Sequence, residues 1–302
     1  MSYYKGNQSG EILGLLSAPP PSGAYYWWNS AVLWSTIIDY YRYTADDTYN
    51  TLAVQGLTAQ NGGGLDHPFL PANWTPSAGN DDQGFWGIAA LQAAELTFPS
   101  PPKGQPSWID LAKAVFDTQA ARYAAEKDTC NGGLRWQLYP TNAGYTYKNT
   151  ISNAVFLNLG ARLARYTGNQ TYADWAEKTW TWLATTGLID GQSNVFDGTY
   201  IQNNCTQITK FQWSYTAGVL LQSAAYMYNH VRPPPFPSHS FPNPSTNNPH
   251  LTDHRHHPKN LAHPPHLPHQ PHHHPLRPQH LFPPHRNRLR EQPRLCRRRD
   301  RL

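Results

Sequence analysis

The chain has 302 residues, of which 39% are hydrophobic and 14% are charged, and its formal net charge is +5. Residues 1–230 carry a net charge of −4, whereas residues 231–302 carry +9. The basicity therefore belongs to the C-terminal segment, and the mildly acidic remainder argues against a nucleic acid as partner.

The two segments also differ in composition. All eleven Trp residues lie in residues 1–230, while residues 231–302 hold 13 of the 15 His and 17 of the 28 Pro. We predict a folded domain over residues 1–230 and a disordered tail over residues 231–302, because the tail has too little apolar surface to offset its chain entropy. A frameshift or a mispredicted exon is an alternative origin for the tail. Its His tract has no supporting fold, so neither a metal site nor a cofactor is predicted.

Amphipathic segments separated by loops rich in Gly, Pro and Asn predict about seven helices between residues 25 and 230. These helical faces occur near residues 26–43, 46–57, 81–96, 108–116, 150–167, 172–186 and 217–228. Ser107 and Asp110 resemble a capping box, and Gly168 and Gly187 stand where helices would end. No alternating apolar pattern of comparable length competes with this pattern. The predicted fold class is therefore all-α, built of helical hairpins.

Three long loops interrupt the helices, at residues 58–80, 128–149 and 188–210. They are rich in Asn, Gly, Trp and Tyr, and loops of this length are more often functional than idle. Trp residues inside the helices are instead predicted to pack in the core, namely Trp27, Trp28, Trp180 and Trp182. Trp213 precedes the last helix, where core packing and a surface role are both open.

The first long loop runs into two consecutive acidic residues, Asp81 and Asp82, at the start of a helix. A structural interpretation is available, because Asn80 is a good N-cap and acids in the first turn interact favourably with the helix dipole. Aromatic and acidic neighbours favour a binding site instead, since Asp66 and Trp74 lie shortly upstream. Sugars present apolar C–H faces that stack on aromatic rings and hydroxyl groups that need polar partners.

Paired carboxyl groups suit the cleavage of a glycosidic bond. One carboxyl protonates the leaving oxygen, and the other attacks the sugar or activates water. Neighbouring residues reach the separation of about 5 to 5.5 Å used by retaining enzymes more easily than the wider inverting separation. If Asp81 and Asp82 are catalytic, their adjacency predicts retention of configuration. Two such close carboxylates repel, so one should have a raised pKa and act as the acid.

A second polar and aromatic cluster lies in the loop 128–149, where planar donors and aromatic rings occur together. The predicted substrate-binding residues around the acid pair and in this cluster are Asp66, Asn80, Gln83, Trp86, Arg135, Trp136, Gln137, Tyr147, Lys148, Asn149 and Trp213. Structural packing could explain any single aromatic residue among them. The sequence contains no Gly-x-Ser-x-Gly elbow, His-Glu-x-x-His motif or phosphate-cradling Gly loop, so nothing indicates a metal or a nucleotide.

Cysteines and glycosylation sequons favour a secreted glycoprotein. Cys130 and Cys205 could form a disulfide in an oxidising compartment, although two buried thiols and chance sequons are the alternative. The sequons stand at Asn7, Asn73, Asn169 and Asn204. The opening MSYYKGNQSG contains no signal peptide, and no transmembrane span or lipid-attachment tail is found, so the sequence itself does not explain export.

Several motifs resemble those of glycoside hydrolase family 76, the α-1,6-mannanases, and especially its fungal members. The resembling stretches cover nearly all of residues 1–230 and are MSYYKGN, YYWWNSAVLW, GNDDQGFWGIAA, CNGGLRWQ, YKNTISNAVFLNLGARLARYTGN and FQWSYTAGVLL. The resemblance implies an (α/α)6 barrel whose active site lies in a groove at one end. It also implies that residues 1–230 are a C-terminally incomplete catalytic domain, with about seven of the barrel's twelve helices.

The resemblance implies endo-hydrolysis of α-1,6-mannan with retained configuration, with Asp81 as nucleophile and Asp82 as acid/base. Some fungal members are thought to be transglycosidases that join mannose-containing anchor remnants of surface proteins to wall glucan. A catalytically impaired mannan-binding wall protein is a further alternative. The expected location is extracellular, at the cell wall or the outer face of the plasma membrane, with membrane contact only through a lipid anchor absent from this sequence. The expected partner is α-1,6-mannan or a mannose-containing cell-wall glycan, bound by a monomer.

Overall fold

The computed structural model describes residues 1, 3–18, 22–62, 69–73 and 75–231. These residues contain seven α-helices, as the sequence predicts. The helices are α1 (Trp27–Thr44), α2 (Asn50–Ala59), α3 (Asn80–Glu95), α4 (Trp108–Ala125), α5 (Thr150–Thr167), α6 (Gln170–Thr186) and α7 (Ser214–Val231). The predicted tail lies outside the described residues except for Val231. Within the described part of the chain, no helix is long and apolar enough to cross a membrane.

Helix α5 lies at the centre of the described structure. Every residue from Thr150 to Ala164 is buried, and the helix packs against α3, α6 and α7. A helix that is buried on all sides is held in position by its neighbours. Its two ends are defined by specific caps. The side chain of Asn149 caps its first turn by accepting a hydrogen bond from the Ser152 amide, and Gly168 ends it in the left-handed conformation. Helix α5 therefore gives the loops at its N-terminus a fixed support.

Capping signals that were read from the sequence are present in the structure. The Ser107 hydroxyl accepts a hydrogen bond from the Asp110 amide at the start of α4. Gly168 and Gly187 both adopt left-handed backbone conformations at the ends of α5 and α6. These local signals work because they depend only on residues within one helical turn.

A small antiparallel sheet joins two of the long loops, and the sequence analysis missed it. Its strands are β1 (Tyr147–Asn149), β2 (Gly198–Tyr200) and β3 (Ile208–Thr209), in the order β1-β2-β3. Tyr147 pairs with Tyr200, and Gly198 pairs with Thr209. Strands of two or three residues are too short to show an alternating pattern, so the all-α prediction described the helices and not these loops. The sheet connects loop 128–149 to loop 188–210.

The Trp residues of the helices divide between core and surface. Trp27 and Trp182 are buried, as predicted. Trp28 is partly buried and stacks on Phe85, with ring centroids 5.3 Å apart. The prediction for Trp180 was wrong, because 41% of its surface is exposed. It lies on the solvent side of α6, where helical periodicity turns its ring away from α5.

Candidate active site

The two consecutive aspartates lie in the first turn of α3, whose N-cap is Gly79. The sequence-based assignment of Asn80 as N-cap was wrong, because Asn80 is already the first helical residue. Its amide donates to the carbonyl of Trp136 at 2.8 Å, and its side chain donates to the carbonyl of Arg135 at 2.9 Å. Asn80 therefore attaches the start of α3 to the backbone of loop 128–149. The side chain is buried, so it supports the site from within.

Both carboxyl groups of the pair pack against the backbone of Gly79 at the N-terminus of α3, because Gly79 has no side chain. The Gly79 amide donates to Oδ2 of Asp82 at 2.7 Å, which satisfies one of the free donors at the helix N-terminus. A Cβ atom on Gly79 would lie 2.2 Å from Oδ1 of Asp81 and 3.1 Å from Oδ2 of Asp82. A side chain at this position would therefore displace the Asp81 carboxyl, and the conflict is steric because the backbone of Gly79 is extended.

Burial dominates the electrostatics of the pair. Each residue keeps some exposed surface, while the carboxyl groups themselves are surrounded by protein atoms. Desolvation raises the pKa of Asp82 to about 6, against the lowering effect of the hydrogen bond from Gly79. Desolvation and the neighbouring charge of Asp82 raise the pKa of Asp81 well above its usual value. The pair can therefore hold a proton at a pH where ordinary carboxyl groups have lost theirs.

Trp136 presents an aromatic surface beside the pair. Trp136 is 37% exposed, and its indole lies close enough to Asp81 to lower the pKa of that carboxyl, although burial outweighs this effect. A Cβ atom on Gly144 would lie 2.3 Å from the Trp136 ring, and Gly144 has a φ of +94°. Gly144 thus meets both a steric and a conformational requirement for packing under this ring. The backbone of the adjacent Gln137 forms a bridge with Gly79, and its side chain is mostly buried.

Arg135 and Lys148 hold the loop 128–149 in place through one acidic residue. Glu126 receives Nε of Arg135 at 2.5 Å and Nζ of Lys148 at 3.1 Å. Lys148 has no exposed surface, and its ammonium group also donates to the carbonyls of Thr129 and Gly132. Burial lowers the pKa of Lys148 to about 8, while the charge of Glu126 acts in the opposite direction. Lys148 was predicted to bind substrate, but this structure leaves none of its surface for a ligand.

Three other predicted substrate-binding residues also point inwards. Trp86 has no exposed surface and stacks between Trp27 and Phe69, with both centroid distances 5.4 Å. Gln83 is buried and donates to the Thr118 hydroxyl at 3.1 Å. Asn149 is 5% exposed and caps α5. Gln83 and Trp86 lie in the same helix as the acid pair, but the contacts of all three residues support the surrounding helices instead of opening onto a groove.

Tyr147 and Trp213 meet at a residue that the sequence analysis did not single out, Asp197. The Tyr147 hydroxyl donates to Oδ2 of Asp197 at 2.7 Å, and Nε1 of Trp213 donates to Oδ1 at 2.9 Å. Trp213 is 44% exposed and Tyr147 is mostly buried. Tyr215, also missed, has a pKa raised by burial and by the charges of Asp81, Asp197 and Asp82. The aromatic run from Phe211 to Tyr215 was the available sequence signal, but nothing local connected it to the acid pair.

The remaining predicted residues concern secretion or lie outside the described residues. Cys130 and Cys205 form a disulfide with Cα atoms 5.9 Å apart, which joins loop 128–149 to loop 188–210. All four sequon asparagines are exposed, namely Asn7, Asn73, Asn169 and Asn204. Asp66 and Trp74 fall outside the described residues.

Residues 1–233 match the family described as Glycosyl hydrolase family 76. The chain is 47% identical over 231 residues to Mannan endo-1,6-alpha-mannosidase DCW1 of Saccharomyces cerevisiae, which covers 76% of this chain and 49% of that protein. It is 42% identical over 231 residues to Mannan endo-1,6-alpha-mannosidase DFG5 of the same yeast, with 76% and 48% coverage. The chain thus spans about half the length of the curated relatives it matches.

Solved structures agree with this relationship. The crystal structure of Dfg5 from Chaetomium thermophilum in complex with glucosamine is 52% identical, with a TM-score of 0.73 over 76% of this chain and 56% of that one. An α-1,6-mannanase, GH76A of Salegentibacter, is 23% identical, with a TM-score of 0.53 over 70% of this chain and 56% of that one. The second likeness concerns the fold alone. The seven α-helices described above belong to a fold of the α/α-barrel type.

Proposed function

The chain belongs to glycosyl hydrolase family 76, and from this premise we propose that it carries the acid pair of an endo-acting α-1,6-mannosidase. The observation that carries the proposal is the placement of Asp81 and Asp82 at the N-terminus of α3, with raised pKa values, beside the exposed ring of Trp136. The names of the curated relatives supply the linkage and the sugar. We propose residues 1–230 as the part of the chain that contains this site.

In the proposed reaction, one carboxyl of the pair gives its proton to the glycosidic oxygen as the bond to the anomeric carbon breaks. The other carboxylate attacks that carbon from the opposite face and forms a glycosyl-enzyme ester. Water then attacks the anomeric carbon and gives a proton to the first carboxylate, while the bond from that carbon to the nucleophilic carboxylate breaks, which releases the sugar and restores both groups. Two inversions give net retention. The raised pKa values favour this chemistry because a proton donor must remain protonated near neutral pH.

The order of roles needs its own test. The resemblance assigns Asp81 as nucleophile and Asp82 as acid/base, whereas the hydrogen bond from Gly79 favours the ionised form of Asp82 in the unliganded protein. We propose the order given by the resemblance for the reacting complex. The positive charge that develops at the anomeric carbon stabilises whichever carboxylate faces it, so ionisation in the empty site does not fix the roles.

Hydrolysis of α-1,6-manno-oligosaccharides tests the activity. The unsubstituted chain should release shorter products, and Asp81→Asn and Asp82→Asn should each lower the rate by at least about a thousandfold, because both carboxyl groups act as one unit. The matched control is Asp128→Asn, which changes an exposed aspartate at the start of loop 128–149 and should keep full activity. Unchanged activity in both variants of the pair would refute the proposal.

Azide rescue with an activated α-mannoside tests the order. In Asp81→Ala, azide would replace the lost nucleophile and give a mannosyl azide of inverted configuration. In Asp82→Ala, azide would intercept the covalent intermediate and give the retained anomer. The opposite pair of products would exchange the two roles while leaving the retaining mechanism intact.

Transglycosylation is the second candidate function. The exposed rings of Trp213 and Tyr215 offer stacking surface for an acceptor sugar near the pair. The intermediate would be the same, with a sugar hydroxyl in place of water. Adding a β-glucan oligosaccharide as acceptor should then produce a mixed mannose-glucose product detectable by mass spectrometry. Hydrolysis products alone, at any acceptor concentration, would exclude this function.

We also propose that the protein acts outside the cell, in remodelling of the fungal cell wall. The disulfide Cys130–Cys205 and the four exposed sequons support passage through an oxidising, glycosylating compartment. Expression behind a yeast secretion signal should give a product whose electrophoretic mobility increases after endoglycosidase treatment. A product of unchanged mobility would contradict glycosylation at these sites.

A further inference from the structure

Asp197 contacts two separate parts of the chain through its two carboxylate oxygens. One oxygen receives the hydroxyl of Tyr147 in β1, and the other receives the indole of Trp213 just before α7. Its own backbone is fixed on both sides, because its amide donates to the carbonyl of Thr209 at 3.1 Å and its carbonyl accepts from the Thr150 amide at 2.7 Å. The backbone that carries this carboxylate is therefore held between strand β3 and the start of α5.

The contact orients a ring that is otherwise weakly held. Trp213 is 44% exposed, and its indole N–H, the only polar group of the side chain, is taken by Asp197. A ring held in this way offers its apolar face, and not its N–H group, to a ligand. Trp213 also lies 6.5 Å from Tyr215 between ring centroids, and Tyr215 in turn lies 6.4 Å from Trp28.

Tyr215 places this aromatic group next to the acid pair. Tyr215 stacks on Trp28, and Trp28 stacks on Phe85 of α3, three residues after Asp82, with the Trp28 and Phe85 ring centroids 5.3 Å apart. Burial and the charges of Asp81 and Asp197 raise the pKa of Tyr215, in agreement with this position. Trp213 is therefore on the α7 side of the pair, whereas Trp136 belongs to loop 128–149. A sugar chain that places one residue at the acid pair could therefore stack a neighbouring residue on the exposed Trp213.

We propose that Asp197 is a positioning residue, which holds the Trp213 ring as a sugar-stacking surface on the α7 side of the acid pair. The inference rests on the proposed function, because it identifies residues that act on the same glycan. Asp197 would not touch the sugar itself. Its effect would pass through Trp213, and the loss of its carboxylate would weaken sugar binding without altering the acid pair.

Four variants of the whole chain separate this role from simple stabilisation of the loop. Asp197→Ala removes both hydrogen bonds. Asp197→Asn keeps an oxygen that can accept from the Trp213 indole, and its NH2 group can donate to the Tyr147 hydroxyl. Asp190→Ala is the matched control, because Asp190 lies in the same loop and its carboxylate accepts hydrogen bonds from Gln192 and Asn194 of that loop. Trp213→Phe keeps an aromatic ring and removes the N–H group.

The first measurement needs no sugar. In protein labelled with ¹⁵N-tryptophan, the Trp213 indole signal is assigned by its absence in Trp213→Phe. Asp197→Ala should move this signal towards the position of a solvent-exposed indole, and Asp197→Asn and Asp190→Ala should move it much less. An unmoved signal in Asp197→Ala would overturn the inference at its first step.

The second measurement is the Kd for α-1,6-mannotetraose by calorimetry. Asp197→Ala should raise the Kd roughly tenfold, the scale expected when a charge-assisted hydrogen bond no longer orders a stacking ring. Asp197→Asn should stay within about threefold of the unsubstituted protein, and Asp190→Ala should bind like it. In the Trp213→Phe background, Asp197→Ala should add little, because its route to the sugar is already lost.

The outcomes distinguish the two proposals. Unaltered Kd in Asp197→Ala, or full additivity with Trp213→Phe, would overturn the positioning role while leaving the proposed function in place. A Kd loss in Asp190→Ala equal to that in Asp197→Ala would reduce the effect to loop stability and overturn it equally. If the unsubstituted protein binds no mannotetraose, the proposed function fails, and the positioning role fails with it.

Discussion

Asp82→Asn should make the protein more stable at neutral pH and leave its stability nearly unchanged in acid. The substitution keeps the shape of the side chain and an oxygen that can accept the Gly79 amide, but it removes a charge that burial disfavours. A group whose folded pKa is raised holds its proton in the folded state after the unfolded chain has released it. Its contribution to stability is therefore present at low pH and is lost as the pH rises through the folded pKa.

The magnitude follows from the pKa of about 6 against an ordinary value of 3.8. At 1.36 kcal/mol for each pKa unit, the full shift corresponds to about 3 kcal/mol. Asp82 keeps part of its surface exposed, so screening by solvent reduces our expectation to about 2 kcal/mol. The free energy of unfolding of Asp82→Asn should exceed that of the unsubstituted protein by a growing amount between pH 4 and pH 7, up to this value. In that range the unfolded chain has released the Asp82 proton, while the folded protein still holds it or carries a buried charge.

Urea unfolding followed by circular dichroism at several pH values from 4 to 7.5 measures the difference directly. The free energy of unfolding of Asp82→Asn and of the unsubstituted protein should agree within about 0.5 kcal/mol at pH 4 and separate above it. Asp128→Asn should follow the unsubstituted protein throughout. If the free energies of unfolding of Asp82→Asn and the unsubstituted protein differed by the same amount at every pH, the argument that burial disfavours the Asp82 charge would be refuted.

Three further substitutions test the rest of the site. Gly79→Ala should lower activity by at least about tenfold, because a methyl group would displace the Asp81 carboxyl. The control Gly218→Ala has open space around the new methyl group, so it should leave activity unchanged and stabilise α7 by about 0.5–1 kcal/mol. Equal activities of the two variants would contradict the steric argument. Trp136→Ala should raise the Kd for mannotetraose by about tenfold or more, and Trp180→Ala, similarly exposed on α6, should not. Replacing both cysteines of Cys130–Cys205 by alanine should cost about 2–5 kcal/mol in the free energy of unfolding, and a loss below about 0.5 kcal/mol would show that the sheet alone holds the two loops together.

The helices could be predicted from the sequence because their signals are local. Seven amphipathic segments, the Ser107 cap and the glycine stops all act within one or two turns, and each appears in the structure. The exposure of Trp180 was missed because only the neighbouring helices determine which side of α6 faces the core. Local propensity cannot supply that information.

The location of the candidate site was also readable, but the tasks of its residues were not. Asp81 and Asp82 stood out because two adjacent carboxyl groups follow a long loop. The sequence predicts Lys148 as a substrate-binding residue, whereas the structure has it paired with Glu126 and donating to two loop carbonyls in the interior. Asp197 gave no signal at all, because its partners lie 50 and 16 residues away in the sequence.

The contact between α3 and loop 128–149 has a consequence for protein engineering. The Trp136 carbonyl accepts the Asn80 amide, and the Trp136 amide donates to the Tyr147 carbonyl at 2.7 Å, so main-chain atoms alone hold position 136 in register with the acid pair. The identity of the side chain at position 136 is therefore a free variable in this arrangement. A library that varies only this residue would sample new ligand preferences on the same backbone contact, and it would also change the pKa of Asp81 wherever the indole is lost. Gly144 leaves the space in which a large ring at position 136 can pack.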